Sequence, residues 1–290
     1  MPYRHRINHL FQKYITKGVR LSDEYMEDKL IHFQKHCGFF TKYGHTADGK
    51  QVLELGTGWY PIVPLCFFLS GASRITTVDI SPLLTSEKLR QSIQKLIKWK
   101  EEGRLQKFLQ PDPDRWSLLY SLGKHKGMPL AGMLAALQTD YLVCDARKLP
   151  LSSATIDLIV SNNTFEHIYP EILEKILLEF KRVLNPGGMM SHFIDLSDHF
   201  AHLDTSITIY NFLRFSSLQW RVIDNAIQPQ NRWRINHYRE LYVRLGIEVV
   251  SEENRPGDIL QLRNVPVHPS FSHILEKDLA VSHSYLVSHG

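Results

Sequence analysis

The spacing of apolar residues changes period repeatedly along the chain, alternating between short runs that suit strands and stripes that suit helices. Residues 1–48 predict helix, with Leu10, Phe11, Tyr14 and Ile15 at helical spacing ahead of the turn-rich Thr-Ala-Asp-Gly-Lys. Residues 52–55 read as a short buried strand, 61–70 as a helix closed by Gly71, and 75–80 as a second strand rich in β-branched residues. From there to residue 138 the chain holds one helix more than a simple crossover needs. The stretch SEKLRQSIQKLIKWKEE is amphipathic, and the Pro-Asp-Pro-Asp at 111–114 begins another helix. Strands return at 139–146 and 155–162. A helix over 171–184 then places Ile172, Leu173, Ile176, Leu177, Phe180, Val183 and Leu184 on one stripe. Its acids come first and Lys181-Arg182 last, the order the helix dipole favours. Asn-Pro-Gly-Gly from residue 185 should stop it before the strand MMSHFIDL. A second insertion, 199–235, is aromatic and arginine-bearing. A helix over 237–245, the strand IEVVSE and a last strand in LAVSHSYLVS complete the chain.

Strands alternating with helices predict an α/β fold, a Rossmann-like, mostly parallel, doubly wound sheet with helices on both faces. The organisation expected is an N-terminal helical segment, 1–48, and one domain, 49–290. Helical insertions at about 81–138 and 199–235 are candidates to cap a site. With 290 residues, 43% hydrophobic and 22% charged, the composition is that of an ordinary globular protein with a sizeable core. The net charge of +4 is mild. Arginines gather at Arg4 and Arg6 and from Arg214 to Arg244, which reads as solvated helix faces before it reads as a nucleic-acid surface. Cys37, Cys66 and Cys144 share no metal-type spacing, and the last two, inside apolar runs, read as buried reduced thiols. The N-terminus lacks the apolar run of a signal peptide, and the longest apolar stretch, 62–72, falls short of the ~20 residues a membrane span needs. No membrane partner is expected, and the cytoplasm is the natural compartment.

Candidate chemistry starts at VLELGTGWYP, residues 52–61. A strand feeding a Gly-x-Gly turn and then a helix aims backbone N–H groups at a ligand, and Gly56 and Gly58 let that ligand approach closely. Asp79, at the end of the second strand, lies where a carboxylate meets ribose hydroxyls. Tyr60 stands where a dinucleotide site places its third glycine, and Glu54 suits a cationic ammonium better than a diphosphate. The physical reading therefore favours S-adenosyl-L-methionine over NAD(P), and argues against an oxidoreductase on a similar sheet.

The series ELGTG, the acid of VDIS, CDARKLPLSSATIDLIVSNNTFEHI and EFKRVLNPGG resembles the motifs of class I S-adenosylmethionine-dependent methyltransferases over roughly 52–196. It is most similar to the small-molecule branch with Glu-His-Ile after the fourth strand. The resemblance implies a seven-stranded sheet with its last strand antiparallel. It also implies that Glu54, Gly56 and Gly58 line the methionine end of the cofactor, that Asp79 accepts the ribose hydroxyls and that Ile80 packs on adenine. Asp145, with Ala146, would meet the adenine amino group, and Asn162 would sit near the transferable methyl.

Methyl transfer depends on alignment, and an oxygen nucleophile needs a base, for which histidine is suited. His167 follows the fourth strand and His199 and His202 the fifth, so His167 and His199 are the catalytic candidates. Asn163, Glu166 and His167, with His199 or His237 later, also resemble the Glu-x-x-Glu-His plus histidine set of metal-dependent 2′-O-methyltransferases acting on small RNAs. Asn163 replaces the first glutamate, and no metal is expected. Arg232 and Arg234 alternate in NRWRINHY and could clamp a carboxylate or phosphate of an acidic substrate, or belong to an exposed basic loop. Tyr210, Phe212, Phe215, Trp220 and Trp233 suit a substrate lid or the insertion's own small core. The reading is a methyltransferase acting on a small molecule, at a hydroxyl oxygen. An RNA 2′-O-methyltransferase, with or without help from a metal ion, and a non-catalytic S-adenosylmethionine-binding regulator are the alternatives; the oligomeric state is not legible.

Overall fold

Ser22 opens the first helix of the computed structural model, which describes residues 20–125, 127–224 and 229–290. Arg4, Arg6, Leu10, Phe11, Tyr14 and Ile15 lie outside the described residues. Ser22 accepts the Tyr25 N–H at 3.2 Å, and Asp23 and Glu24 occupy the positive end of α1 (Asp23–Lys42). Its inner face buries Met26, Leu30, Phe33 and Phe40. Phe33 meets Phe67 edge-on at 5.1 Å. Phe67 belongs to α2 (Ile62–Leu69), which is apolar and buried at all eight positions, as a helix with no solvent face has to be.

The strands are β1 (Gln51–Leu55), β2 (Arg74–Asp79), β3 (Thr139–Val143), β4 (Ile156–Asn162), β5 (Leu184–Asp195), β6 (Val249–Arg255) and β7 (His283–His289). They form one sheet in the order β3-β2-β1-β4-β5-β7-β6. β1 pairs parallel with β2 and β4, and β2 with β3. β6 and β7 pair antiparallel. Leu55 stands level with Val78 and Ser161, so β1, β2 and β4 end side by side. The predicted Rossmann-like fold with an antiparallel last strand is the one observed.

The chain divides into two compact units. One holds Arg20–Ser161, Glu179–Ser191 and Gly290; among the described residues the other holds Asn162–Leu178 and His192–His289. In the first unit the 81–138 insertion folds into α3 (Ser86–Glu101), α4 (Pro113–Lys124) and α5 (Leu130–Ala136). Asp112 caps α4 by accepting the Arg115 N–H at 2.9 Å, with Pro113 at the first helical position. Arg115 donates to the Phe68, Ala72 and Gly71 carbonyls and so closes the end of α2.

α6 (Pro170–Val183) gives way directly to β5. The Asn-Pro-Gly-Gly expected to form a loop is instead the start of a twelve-residue strand. Pro186 holds the preceding residue extended, so the helix ends and the strand begins without a separate turn.

In the second unit the 199–235 insertion contains α7 (Ser217–Ile223), and α8 (Ile235–Arg244) follows. Two short helices absent from the sequence reading, α9 (Ile259–Arg263) and α10 (Glu276–Ala280), complete it. Tyr210, Phe212, Leu213 and Trp220 pack with Leu262, Phe271, Ile274 and Leu279 in a shared core. The aromatics of the insertion are thus core residues, and their partners come from a stretch of chain that carries no periodic signal of its own. Tyr210 fixes the seam: its hydroxyl donates to the Ala280 carbonyl and accepts the Asp258 N–H, both at 2.8 Å.

Candidate active site

The turn after β1 is built differently from a phosphate cradle. The Gly56 and Thr57 N–H groups both donate to the Val78 carbonyl, at 2.8 and 3.3 Å. The Gly58 N–H donates to Asp79 Oδ2 at 3.0 Å. Three successive N–H groups expected to point at a ligand are therefore turned to the neighbouring strand. A diphosphate would find no ring of donors here. Asp79 Oδ1 accepts the Ser81 N–H at 3.0 Å, so both carboxylate oxygens are held in place. Burial pushes the Asp79 carboxyl above the usual carboxylate range, against the N–H groups of Gly58, Ser81 and Ile80.

Around that carboxylate the surfaces differ sharply. Gly58 sits at φ +62°, and a Cβ there would meet nothing within 4 Å. Ile80, next along the chain from Asp79, is 73% exposed, as several other large apolar side chains of the chain are. Tyr60, at the third-glycine position, is buried; its hydroxyl accepts from Lys88 Nζ at 2.7 Å and its ring meets Tyr25 edge-on at 6.0 Å. Glu54 is buried beside Thr77, whose hydroxyl donates to it at 3.3 Å. Asp145 is engaged locally, accepting the Arg147 N–H at 2.9 Å and its guanidinium, which holds the carboxyl below its ordinary value. Ala146 is buried, Asn162 part-buried, and Cys144 also only part-buried rather than in the core.

The second unit gathers the histidines. The short 3₁₀ turn Phe165–His167 presents Glu166, 1% exposed, and His167; another, His199–His202, presents His199. The His167 and His199 rings are 5.0 Å apart between centroids, edge to face. One ligand atom each from Glu166, His167 and His199 fall within 4.8 Å of one another. His167 Nδ1 donates to the Pro229 carbonyl at 2.9 Å, which fixes its tautomer. Burial, and then the His199 ring, push the His167 imidazole down to about 4, so it is neutral at physiological pH. His199 Nε2 lies 3.3 Å from Asp195 Oδ2. Burial alone would raise the Asp195 carboxyl; the bond from His199 and the nearby His283 more than offset it and hold it below the usual range. His237 is elsewhere, accepting the Arg234 N–H at 3.0 Å and stacked on Trp233.

Sequence reasoning missed the segment that organises these turns. Asn231 donates from Nδ2 to the Phe165 and Ile168 carbonyls, both at 2.8 Å, and its own N–H bonds the Glu166 carbonyl at 2.8 Å. Gln230 accepts the His199 N–H at 3.2 Å and donates to the Ser197 carbonyl at 2.5 Å. Pro229, Gln230 and Asn231 thus strap both histidine-bearing turns. Their only signal in the chain is a run of amides beside a proline.

Arg232 and Arg234 correct an expectation. Arg234 is fully buried and donates to the Leu196, Leu279 and Val281 carbonyls. Arg232, 9% exposed, donates to the Phe212 and Phe215 carbonyls and lies between the Trp220 and Phe271 rings, at 5.3 and 5.2 Å. The pair does not form an acid clamp, because both guanidinium groups close the interior of their own unit.

A family model described as a methyltransferase domain matches residues 124–191. Among solved structures the chain is similar to the PH0226 protein of Pyrococcus horikoshii OT3, at 15% identity and a TM-score of 0.54, over 96% of this chain and 97% of that one. It is similar also to geranyl diphosphate C-methyltransferase from Streptomyces coelicolor A3(2), solved with Mg2+, geranyl diphosphate and S-adenosyl-L-homocysteine. There the identity is 10% and the TM-score 0.51, over 99% of this chain and 97% of that one. No curated protein sequence matches the chain. The methyltransferase-domain match thus covers residues 124–191, and the solved structures share the Rossmann-like fold with the chain.

The methyltransferase-domain match implies S-adenosylmethionine as the cofactor. The turn leaves room for a ligand: the space beside Gly58 is open, with the Asp79 carboxylate next to it. Among the described residues no helix of the chain is long and apolar enough to cross a membrane.

Proposed function

We propose that this protein is an S-adenosylmethionine-dependent methyltransferase that acts on a hydroxyl oxygen of a small molecule. Bound S-adenosylmethionine supplies an electrophilic methyl group on a sulfonium sulfur. Asp79 takes the two ribose hydroxyls, and Ile80 lies against adenine, with Asp145 and Ala146 at its amino group. Glu54, Gly56 and Gly58 line the methionine end, and Asn162 stands near the reacting carbon.

The observation that carries the choice of oxygen is the oriented histidine pair. A hydroxyl is a poor nucleophile until its proton is drawn off, whereas carbon acceptors activated by a π-system do not need that of the enzyme in the same way. His167, whose Nδ1 N–H is held by the Pro229 carbonyl so that Nε2 is left as its acceptor, stands beside His199, which lies against Asp195. Removal of the acceptor's proton falls to this cluster. A panel of phenols, catechols, sugars, amines and short RNAs, assayed for S-adenosylhomocysteine release, tests the reading. Turnover confined to hydroxyl-bearing small molecules supports it, and turnover of amines or RNA alone defeats it.

A further inference from the structure

We propose that Tyr141 is a positioning residue for the cofactor: its phenol fixes the 81–84 loop and, through Ser81, aims the Asp79 carboxylate at the ribose. This rests on the proposed reading of Asp79 as the acceptor of the two ribose hydroxyls.

Sheet register puts the two side chains together. In the parallel pairing of β2 with β3, Tyr141 stands level with Thr77 and Val143 with Asp79. Side chains alternate between faces along a strand, so Tyr141 and Asp79 share one face of the sheet. The chain leaves β2 at Asp79 and reaches α3 through residues 80–85, a stretch with no regular structure of its own. The backbone groups of such a stretch have to find partners elsewhere. The Tyr141 hydroxyl serves three of them. It accepts the Leu83 N–H at 3.0 Å and the Leu84 N–H at 3.3 Å, and donates to the Ser81 carbonyl at 3.1 Å. One donor and two lone pairs are all that a phenol has, and each is used. The Leu83 N–H is shared with the Ser81 carbonyl at 2.8 Å, which closes the loop tightly around the hydroxyl.

Ser81 then carries the restraint to the acid. Its N–H donates to Asp79 Oδ1 at 3.0 Å, while the Gly58 N–H holds Oδ2 at 3.0 Å. The carboxylate is thus held from two sides. One belongs to the turn after β1; the other is anchored by Tyr141. Burial raises the pKa of the Tyr141 phenol, with the Leu84 and Leu83 N–H groups opposing the rise and the Asp79 charge adding to it. The phenol therefore keeps its proton, and the Ser81 carbonyl its donor, at physiological pH. A carboxylate already held in one orientation loses less freedom when it accepts two adjacent hydroxyls, which favours a ribose over a sugar without them.

The test compares S-adenosylhomocysteine with its 2′,3′-dideoxy analogue by titration calorimetry on the full chain. The wild type should prefer the diol by at least about tenfold, the worth of charge-assisted bonds to Asp79. Tyr141→Phe removes one oxygen and keeps the ring. It should cut that preference roughly 3–10-fold, the net worth of one hydrogen bond, and leave affinity for the dideoxy analogue unchanged. In an Asp79→Asn background the same substitution should change neither affinity. A merely structural phenol would weaken both ligands alike; that outcome, or an undiminished preference for the diol, overturns the proposal. Hydrogen exchange on the wild type needs no variant to fold. The Leu84 N–H should be protected by its bond to the phenol, and rapid exchange there also overturns it. A wild type with no preference for the diol removes Asp79 from the ribose, and this role with it. A wild type that has the preference, beside a Tyr141→Phe variant that keeps it, removes Tyr141 alone.

Discussion

The Asp79 carboxylate accepts the Gly58 N–H at 3.0 Å, tying the acid that ends β2 to the turn that follows β1. This bond turns the Gly58 N–H away from any ligand and places a part-buried carboxylate beside open space. A ligand gripped there is held by accepting groups for its hydroxyls, which suits a nucleoside without phosphates. Removing the carboxylate in Asp79→Ala should weaken S-adenosylmethionine binding by about 1–3 kcal/mol, the usual loss of a charge-assisted bond. Titration calorimetry with the demethylated product is the check; equal affinity in the variant would remove Asp79 from the site.

The same carboxyl gives a pH dependence. Burial raises its pKa above the ordinary carboxylate value, and hydroxyl donors prefer its ionised form. Cofactor affinity should be full above the raised pKa and fall as pH drops through it, earlier than for an exposed aspartate. For the free protein the sign is opposite, because a raised carboxyl pKa favours the folded state on acidification. Affinity measured from pH 8 to pH 4, wild type beside Asp79→Asn, should show the slope only in the wild type.

Gly58 and Gly71 should separate ligand from fold. Both have positive φ, +62° and +92°. Gly58→Ala adds a methyl to open space, so stability should fall only by the about 1–2 kcal/mol of left-handed strain while cofactor affinity drops. Gly71→Ala would press the new methyl on the Asp48 side chain and backbone, so its melting temperature should fall further. Affinity of the folded fraction should stay unchanged. Matched melting curves and calorimetry would show the two losses crossing over.

Arg234 offers a test of the correction. Substituting methionine strands the Leu196, Leu279 and Val281 carbonyls, each costing about 1–3 kcal/mol when left buried without a donor. Urea denaturation of Arg234→Met should show a large loss. A variant of native stability that had lost affinity for acidic acceptors would restore the clamp.

Asp23 links α1 to α3. Arg104, at 2.8 Å, and then Lys95 hold its carboxyl well below the usual range, and the Trp99 indole N–H adds a bond at 3.3 Å. A depressed carboxylate contributes stability above its unfolded pKa and loses it as pH falls through the folded one. Because these side chains are partly exposed, Asp23→Asn should cost less than about 1 kcal/mol at pH 7 and nothing at strongly acid pH. An equal loss at both would assign the effect to capping instead.

The sequence by itself determined most of the order of elements and the sheet. β-branched runs, the 171–184 stripe and Asp79 two glycines away in the fold are local patterns whose physical meaning does not depend on distant chain. Direction and partnership were decided only by tertiary structure. Arg232 and Arg234 read as an exposed pair because alternation shows which residues share a face but not what that face meets. Residues 259–280 read as nothing because their apolar residues serve the insertion's core rather than a stripe of their own. Glu166, His167 and His199 became one cluster through Pro229, Gln230 and Asn231, whose bonds span about thirty to sixty residues of chain. No periodicity in a sequence encodes a contact across that separation; it exists only once the backbone carbonyls of both turns are in place to be bonded.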